Sequence, residues 1–267
     1  MNKKVAIVAG EPFSINSEII AKSWKKIKKK YKKNIFVIGN YSLIKKQFNI
    51  LRIKIPTIKI DSLNNINSTK KLQIFDIPLK FKNPFKVSDK NNSRYVLKCI
   101  DKAHELAVGK KILGFINCPI NKNIFSSKNF GVTEYLAKKN KLKNLAVMMI
   151  YNEKLSVIPI TTHIPVKEIS KKLNKKTIER KIKIVNNFYY KLLKRKPIVA
   201  VLGLNPHNSE LRYNSEERKV IIPAIKKLKK DNYKIIGPFS SDTIFLKKKK
   251  YQYDVIVGMY HDQVLAP

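Results

Sequence analysis

The sequence predicts an α/β protein whose sheets are largely parallel. Short apolar runs alternate with longer amphipathic stretches along the chain, the pattern left by strands joined through crossover helices. With 267 residues and 43% hydrophobic side chains, it can bury a substantial core, as one large domain or two of ordinary size. No apolar stretch approaches the ~18 residues that a membrane-spanning helix needs.

Strands are predicted at Val5–Ala9, Asn34–Ile38, Ile112–Ile116, Ala146–Ile150, Leu155–Ile160, Ile198–Leu202, Lys234–Ile236 and Val255–Gly258. A helix is predicted over Arg94–Val108, with Ser93 as N-cap and Gly109 just past its end. Another over Thr177–Leu193 places Ile178, Ile182, Val185, Tyr189 and Leu192 on one face. Asn214-x-x-Glu217 resembles a capping box before a helix carrying Ile221, Ile225 and Leu228, which Pro223 should kink. Residues 55–92, with Pro56, Pro78 and Pro84, read as edge strands and loops. The chain stops at Pro267 soon after a strand pattern and without a closing helix, so a fragment is expected.

Lys and Arg number 57 against 18 acidic residues, a formal net charge of +39. Such a charge invites a nucleic-acid partner. Yet only six of the 57 are Arg, which leaves 51 Lys spread over the whole length, whereas base and phosphate readers lean on bidentate Arg. The excess reads as AT-rich codon bias on solvated surfaces. No specific nucleic-acid partner is expected, only loose affinity for polyanions at low salt. Cys99 and Cys118 are too few for a disulfide framework, and Val5–Ala9 is too short for a signal-peptide core. Together they predict a cytoplasmic protein with no membrane attachment.

The polar residues with chemistry gather past strand ends. His163 follows Leu155–Ile160, His207 follows Ile198–Leu202, and His261 follows Val255–Gly258, whereas His104 lies inside a predicted helix and reads as structural. Ligands of open parallel sheets bind at the carboxyl ends of strands, and three imidazoles there can form a catalytic metal site. Alternatively, strand-end loops are polar for ordinary reasons and the three never meet. Lys122, after Ile112–Ile116, is placed to neutralise an anionic substrate. Cys118 lacks a sequence-implied His partner and reads as a poor nucleophile. Asp242 and Asp262 are candidate proton acceptors or partners of metal ligands. None of the eight glycines forms G-x-G-x-x-G and no Walker A sequence is present, so a nucleotide would bind in another way.

These strand-end residues fall in an order that resembles a known family. Gly10-Glu11-Pro12 leads to Ser17-Glu18-Ile19, and Pro119-Ile120-Asn121-Lys122 and Gly131-Val132-Thr133-Glu134-Tyr135-Leu136 follow. Next come Thr161-Thr162-His163-Ile164-Pro165, Gly203-Leu204-Asn205-Pro206-His207, Gly237-Pro238-Phe239 with Asp242-Thr243, and Met259-Tyr260-His261-Asp262-Gln263. The series is similar to the 4-hydroxythreonine-4-phosphate dehydrogenase family of vitamin B6 synthesis, over nearly the whole chain. The resemblance implies an isocitrate/isopropylmalate-dehydrogenase-like fold of two α/β/α domains with an interdomain cleft, and a homodimer. The domains would be 1–130, to which the family returns at its C-terminal end, and 131–267, incomplete and carrying the histidines.

The resemblance implies a metal on His163, His207 and His261, zinc first with magnesium or cobalt as alternatives, and NAD as hydride acceptor. It implies oxidation and decarboxylation of a small phosphorylated amino acid, 4-phosphooxy-L-threonine, to 3-amino-2-oxopropyl phosphate. Thr133 matches a substrate-contacting position, and Asp242, Asp262 and Lys122 are the matched catalytic candidates. The sequence departs from the family in four places. Val132 stands where the family has His before Thr133, the loop Asn208–Asn214 is not glycine-rich, and the first glycine-rich loop is reduced to Gly10-Glu11-Pro12-Phe13-Ser14-Ile15-Asn16. The family also continues past the His-Asp-Gln segment with further substrate and NAD residues, so no turnover is expected of the chain as given. Two alternatives stand beside this reading. One is a dehydrogenase of another phosphorylated hydroxy acid, such as threonate or erythronate phosphate, and the other is a non-catalytic truncated paralogue.

Overall fold

The computed structural model describes residues 4–125, 131–142, 146–246 and 252–267. The chain divides into two compact units, Met1–Gly131 and Val132–Pro267. Each is built on one parallel sheet.

The first unit contains β1 (Val5–Val8), α1 (Asn16–Lys26), α2 (Lys29–Lys32), β2 (Ile35–Gly39), α3 (Tyr41–Ile50), β3 (Thr57–Ile60), β4 (Leu72–Asp76), α4 (Asp89–Val108) and β5 (Gly114–Asn117). Its strand order is β3-β4-β2-β1-β5, with every pair parallel. Ile20, Ala21 and Trp24 of α1 and Ile44 and Phe48 of α3 pack with Val37, Leu72 and Ile74 of the sheet. The long helix α4 packs on β1, β2 and β5 and buries Tyr95, Val96, Cys99, Ile100 and Ala103 at helical spacing. Each such buried aliphatic side chain stabilises by about 1.5–3 kcal/mol relative to exposure.

The second unit contains α5 (Val132–Lys139), β6 (Ser156–Pro159), α6 (Ile169–Lys172), α7 (Lys175–Leu193), β7 (Val199–Leu202), α8 (Ile222–Lys230), β8 (Ile235–Phe239), β9 (Val255–Gly258) and α9 (His261–Leu265). Its strand order is β6-β9-β7-β8, again all parallel. The Val-Ala-Val-Leu of β7 explains why the run is apolar throughout. Val199 and Val201 pack with Ile178, Ile182 and Val185 of α7 and with Ala224, Ile225 and Leu228 near α8. Ala200 and Leu202 pack on the opposite side with Ile244, Tyr253 and Val264. A parallel strand covered on both faces has no polar face to show.

The structure differs from the sequence expectation in several places, among them Leu192, expected on the buried face of α7 but exposed. Residues 55–92 hold the expected edge strand, β3, but also β4, an interior strand between β2 and β3. Polar Gln73 in its middle masked it, but Gln73 is fully buried because its Oε1 accepts the N–H groups of Asn67 and Ser68 at 2.7 and 2.9 Å. The strand expected at Ala146–Ile150 is, within the described residues, one antiparallel bridge from Ile150 to Val157. The chain turns back at once there, with Asn152 Oδ1 accepting from Lys154 N. Helix α4 starts a turn earlier than expected, with Ser88 at the cap and Asp89 favourably placed against the helix dipole. Pro223 falls in the first turn of α8, which runs on directly from a preceding helical turn, and the regular helix is interrupted beside it. The irregularity sits just upstream as a π-helical turn over Glu217–Ile221.

Candidate active site

Because β6, β9, β7 and β8 are parallel neighbours, the loops that leave their carboxyl ends emerge along one edge of the second sheet. His163 follows β6, His261 opens α9 directly after β9, His207 follows β7 and Asp242 follows β8. The topology thus places all three histidines on adjacent strand ends. The rings of His163 and His261 have centroids 5.9 Å apart. His163 and His207 both adopt left-handed backbone, at φ 52° and 50°, a conformation a non-glycine residue keeps only when its surroundings hold it there.

The two aspartates sit one on each of two histidines. Asp262 Oδ1 is 2.6 Å from His261 Nδ1, and Asp242 Oδ2 is 3.7 Å from His207 Nδ1. A carboxylate hydrogen-bonded at Nδ1, as Asp262 is to His261, favours the proton on that nitrogen and a lone pair on Nε2, the arrangement of metal-ligating imidazoles, whereas Asp242 is only within ion-pair distance of His207. The hydrogen bond from Ser240, aided by nearby His207, holds the Asp242 carboxyl below its ordinary value. In chemistry, three imidazoles with carboxylate partners suit a divalent metal such as zinc. Among the described residues, however, no three His, Cys, Asp or Glu side chains stand close enough together to hold one.

Buried and half-buried polar side chains tie these loops to the sheet. Gln263 of α9 donates from Nε2 to the carbonyl of Gly203 at 2.7 Å and accepts the Met259 N–H on Oε1 at 2.7 Å. Thr161 Oγ1 donates to the Met259 carbonyl at 2.7 Å, joining the ends of β6 and β9. Lys181 of α7, buried, donates its ammonium to the Ile160 carbonyl at 2.7 Å, and burial together with Arg180 pulls its pKa down. Glu217 receives the N–H groups of Leu204 and Asn205, both at 2.8 Å. Burial alone would raise the Glu217 pKa, but these bonds and those from the Asn205 amide outweigh it and hold the carboxyl below its ordinary value.

The other candidates sit on other elements. Thr133 is exposed in the first turn of α5, beside half-buried Val132. Lys122 opens a short 3-10 turn, Lys122–Ile124, and its side chain lies outside the described residues. In the first unit, Glu11 is buried and accepts the Asn121 N–H, joining the loops after β1 and β5. Cys118 is 5% exposed and burial pushes its thiol up to about 11, which bears out its reading as a poor nucleophile.

Residues 31–267 match the sequence profile of the pyridoxal phosphate biosynthetic protein PdxA. The chain belongs to the PdxA family. It is 33% identical over 272 residues to 4-hydroxythreonine-4-phosphate dehydrogenase of Aquifex aeolicus, an alignment that covers 100% of this chain and 82% of that protein. It is 29% identical over 278 residues to D-threonate 4-phosphate dehydrogenase of Pectobacterium atrosepticum, with 100% of this chain covered. Among solved structures it resembles 4-hydroxythreonine-4-phosphate dehydrogenase of Klebsiella pneumoniae with a TM-score of 0.84 and 29% identity, over 98% of this chain and 82% of that one. The PdxA assignment makes the chain a member of a dehydrogenase family with this α/β fold. No described helix is long and apolar enough to cross a membrane.

Sequence reasoning missed Glu217, Gln263 and Lys181. Glu217 read as the acid of a capping box, yet its carboxylate reaches back to Leu204 and Asn205, and Ser215 rather than Asn214 accepts from the following turn, at Arg218 N. Gln263 stood in the Met-Tyr-His-Asp-Gln series without a role of its own. Lys181 was indistinguishable among 51 lysines, and only its place on the buried face of α7 marks it.

Proposed function

We propose that this protein is a metal- and NAD-dependent dehydrogenase that oxidises the C3 hydroxyl of 4-phosphooxy-L-threonine. The resulting β-keto acid loses carbon dioxide to give 3-amino-2-oxopropyl phosphate for vitamin B6 synthesis. The observation that carries this reading is the row of His163, His261 and His207 on adjacent parallel strand ends in a PdxA-family chain. A divalent metal on these three, zinc before magnesium or cobalt, would supply Lewis acidity toward the substrate hydroxyl, and NAD would accept the hydride.

The protein's own residues hold and orient. Asp262 is hydrogen-bonded to His261 at Nδ1 and would orient that ring, and Asp242 stands within ion-pair distance of His207. Their side chains are 77% and 53% exposed, so either can pass a proton between substrate and water. Thr133 is assigned to substrate contact and Lys122 to the anionic group of the substrate. A cytoplasmic homodimer with no specific nucleic-acid partner completes the reading.

A second reading has its own support. Val132 offers no hydrogen bond beside Thr133, and one relative is named D-threonate 4-phosphate dehydrogenase. Loss of one polar substrate contact can shift specificity by orders of magnitude. The deciding assay incubates protein expressed from the complete coding sequence with NAD, zinc and either 4-phosphooxy-L-threonine or D-threonate 4-phosphate. NADH formation with the amino acid phosphate, abolished by chelator, supports the first reading. Preference for the threonate supports the second, and no NADH with either overturns both.

A further inference from the structure

We propose that Glu217 is the positioning residue of the His207 loop, acting through Asn205 and the backbone of residues 204–205. The proposal rests on the metal reading above. Glu217 is fully buried, and its described hydrogen-bond partners are all neutral donors. Its Oε1 accepts Leu204 N and Asn205 N at 2.8 Å each, and its Oε2 accepts Asn205 Nδ2 at 3.0 Å. A carboxylate is kept in an apolar interior only where such bonds satisfy it. Besides a bond to its own backbone N–H, the carboxylate's partners belong to the strand-end loop, at Leu204 and Asn205.

Asn205 transmits the restraint. Its amide nitrogen donates to Glu216 Oε2 at 2.9 Å as well as to Glu217. With acceptors on both sides, the amide has one workable orientation. Pro206 follows, with its φ fixed by the ring, and next come His207 and Asn208 at φ 50° and 58°. A rigid Asn205-Pro206 pair therefore delivers His207 in a backbone state it would not adopt unaided. Residue 203 is a glycine that lets this loop pack closely: a Cβ there would lie 2.0 Å from Asn208 Oδ1 and 3.1 Å from Glu217 Oε1.

The variant Glu217→Gln keeps the shape but turns one acceptor into a donor facing the Asn205 amide. The test is a cobalt(II) titration of the whole chain, followed by visible absorption, in a double-mutant cycle of Glu217→Gln with His207→Ala. If the parent and His207→Ala bind Co²⁺ equally, the metal reading itself fails, and the proposal with it. If His207→Ala loses affinity, Glu217→Gln is expected to weaken Co²⁺ binding by about tenfold or more and alter the absorption band. The same substitution in the His207→Ala background should then change affinity by less than about twofold, because the residue it positions is gone. Equal weakening in both backgrounds, or none in either, overturns the proposal. Should Glu217→Gln fail to fold, Glu217→Asp is taken through the same cycle with the same criteria.

Discussion

Gln263 binds Gly203 across the second sheet. Its side-chain nitrogen lies 2.7 Å from the Gly203 carbonyl, while its oxygen takes the Met259 N–H at the same distance. One buried amide thus fastens the end of β7, from which His207 departs, to the end of β9, which leads into His261. Removing it as Gln263→Leu leaves a buried carbonyl and a buried N–H unpaired. The expected loss is about 2–4 kcal/mol of unfolding free energy, read as a lower urea midpoint at unchanged slope. A midpoint equal to that of the parent would show that the tie carries no energy.

Acid should weaken the second unit through Glu217. Its folded pKa lies below the ordinary 4.5, so its contribution is complete above that value and drains away as pH falls through the folded value. Glu217→Gln removes that titration. Stability of the parent should therefore fall more steeply than that of the variant below pH 4.5, measured by urea unfolding at a series of pH values. Parallel curves would contradict the assignment.

Gly237 has φ 122°, and a Cβ built on it would lie 2.4 Å from the Val201 carbonyl oxygen. The obstacle is strand backbone, which cannot step aside. Gly237→Ala should cost more than about 2 kcal/mol and lower the melting temperature clearly, whereas a melt within error of the parent would refute the placement of Gly237 within β8.

Much of the architecture was legible in the sequence, for reasons visible in particular residues. The run Val199–Leu202 announced a strand because both its faces are covered, and Ile178, Ile182, Val185 and Tyr189 announced α7 because one face is. The strand-end histidines were legible because a parallel sheet sends its loops to a common edge. Strand β4 was hidden by Gln73, whose burial depends on N–H groups of Asn67 and Ser68 that only the folded chain supplies. Glu217 was misread for the same reason: its partners Leu204 and Asn205 belong to another loop, and no local pattern names them.

The cysteines give an independent check on the packing of the first unit. Cys99 is fully buried and burial raises its thiol pKa, and Cys118 is 5% exposed with its thiol near 11. At neutral pH only about one Cys118 in ten thousand would be thiolate. Native protein should therefore react with a thiol reagent far more slowly than unfolded protein, at both sites. Fast labelling of Cys118 in the native state would contradict its burial.

The central proposal is that His163, His207 and His261 would share one metal. It is tested most directly by equilibrium dialysis of the protein against zinc, with each histidine in turn replaced by alanine and His104→Ala as the control. The account predicts a single zinc per chain, lost or weakened by about tenfold or more in each of the three strand-end variants and retained by His104→Ala. Zinc held equally by all four variants would contradict it.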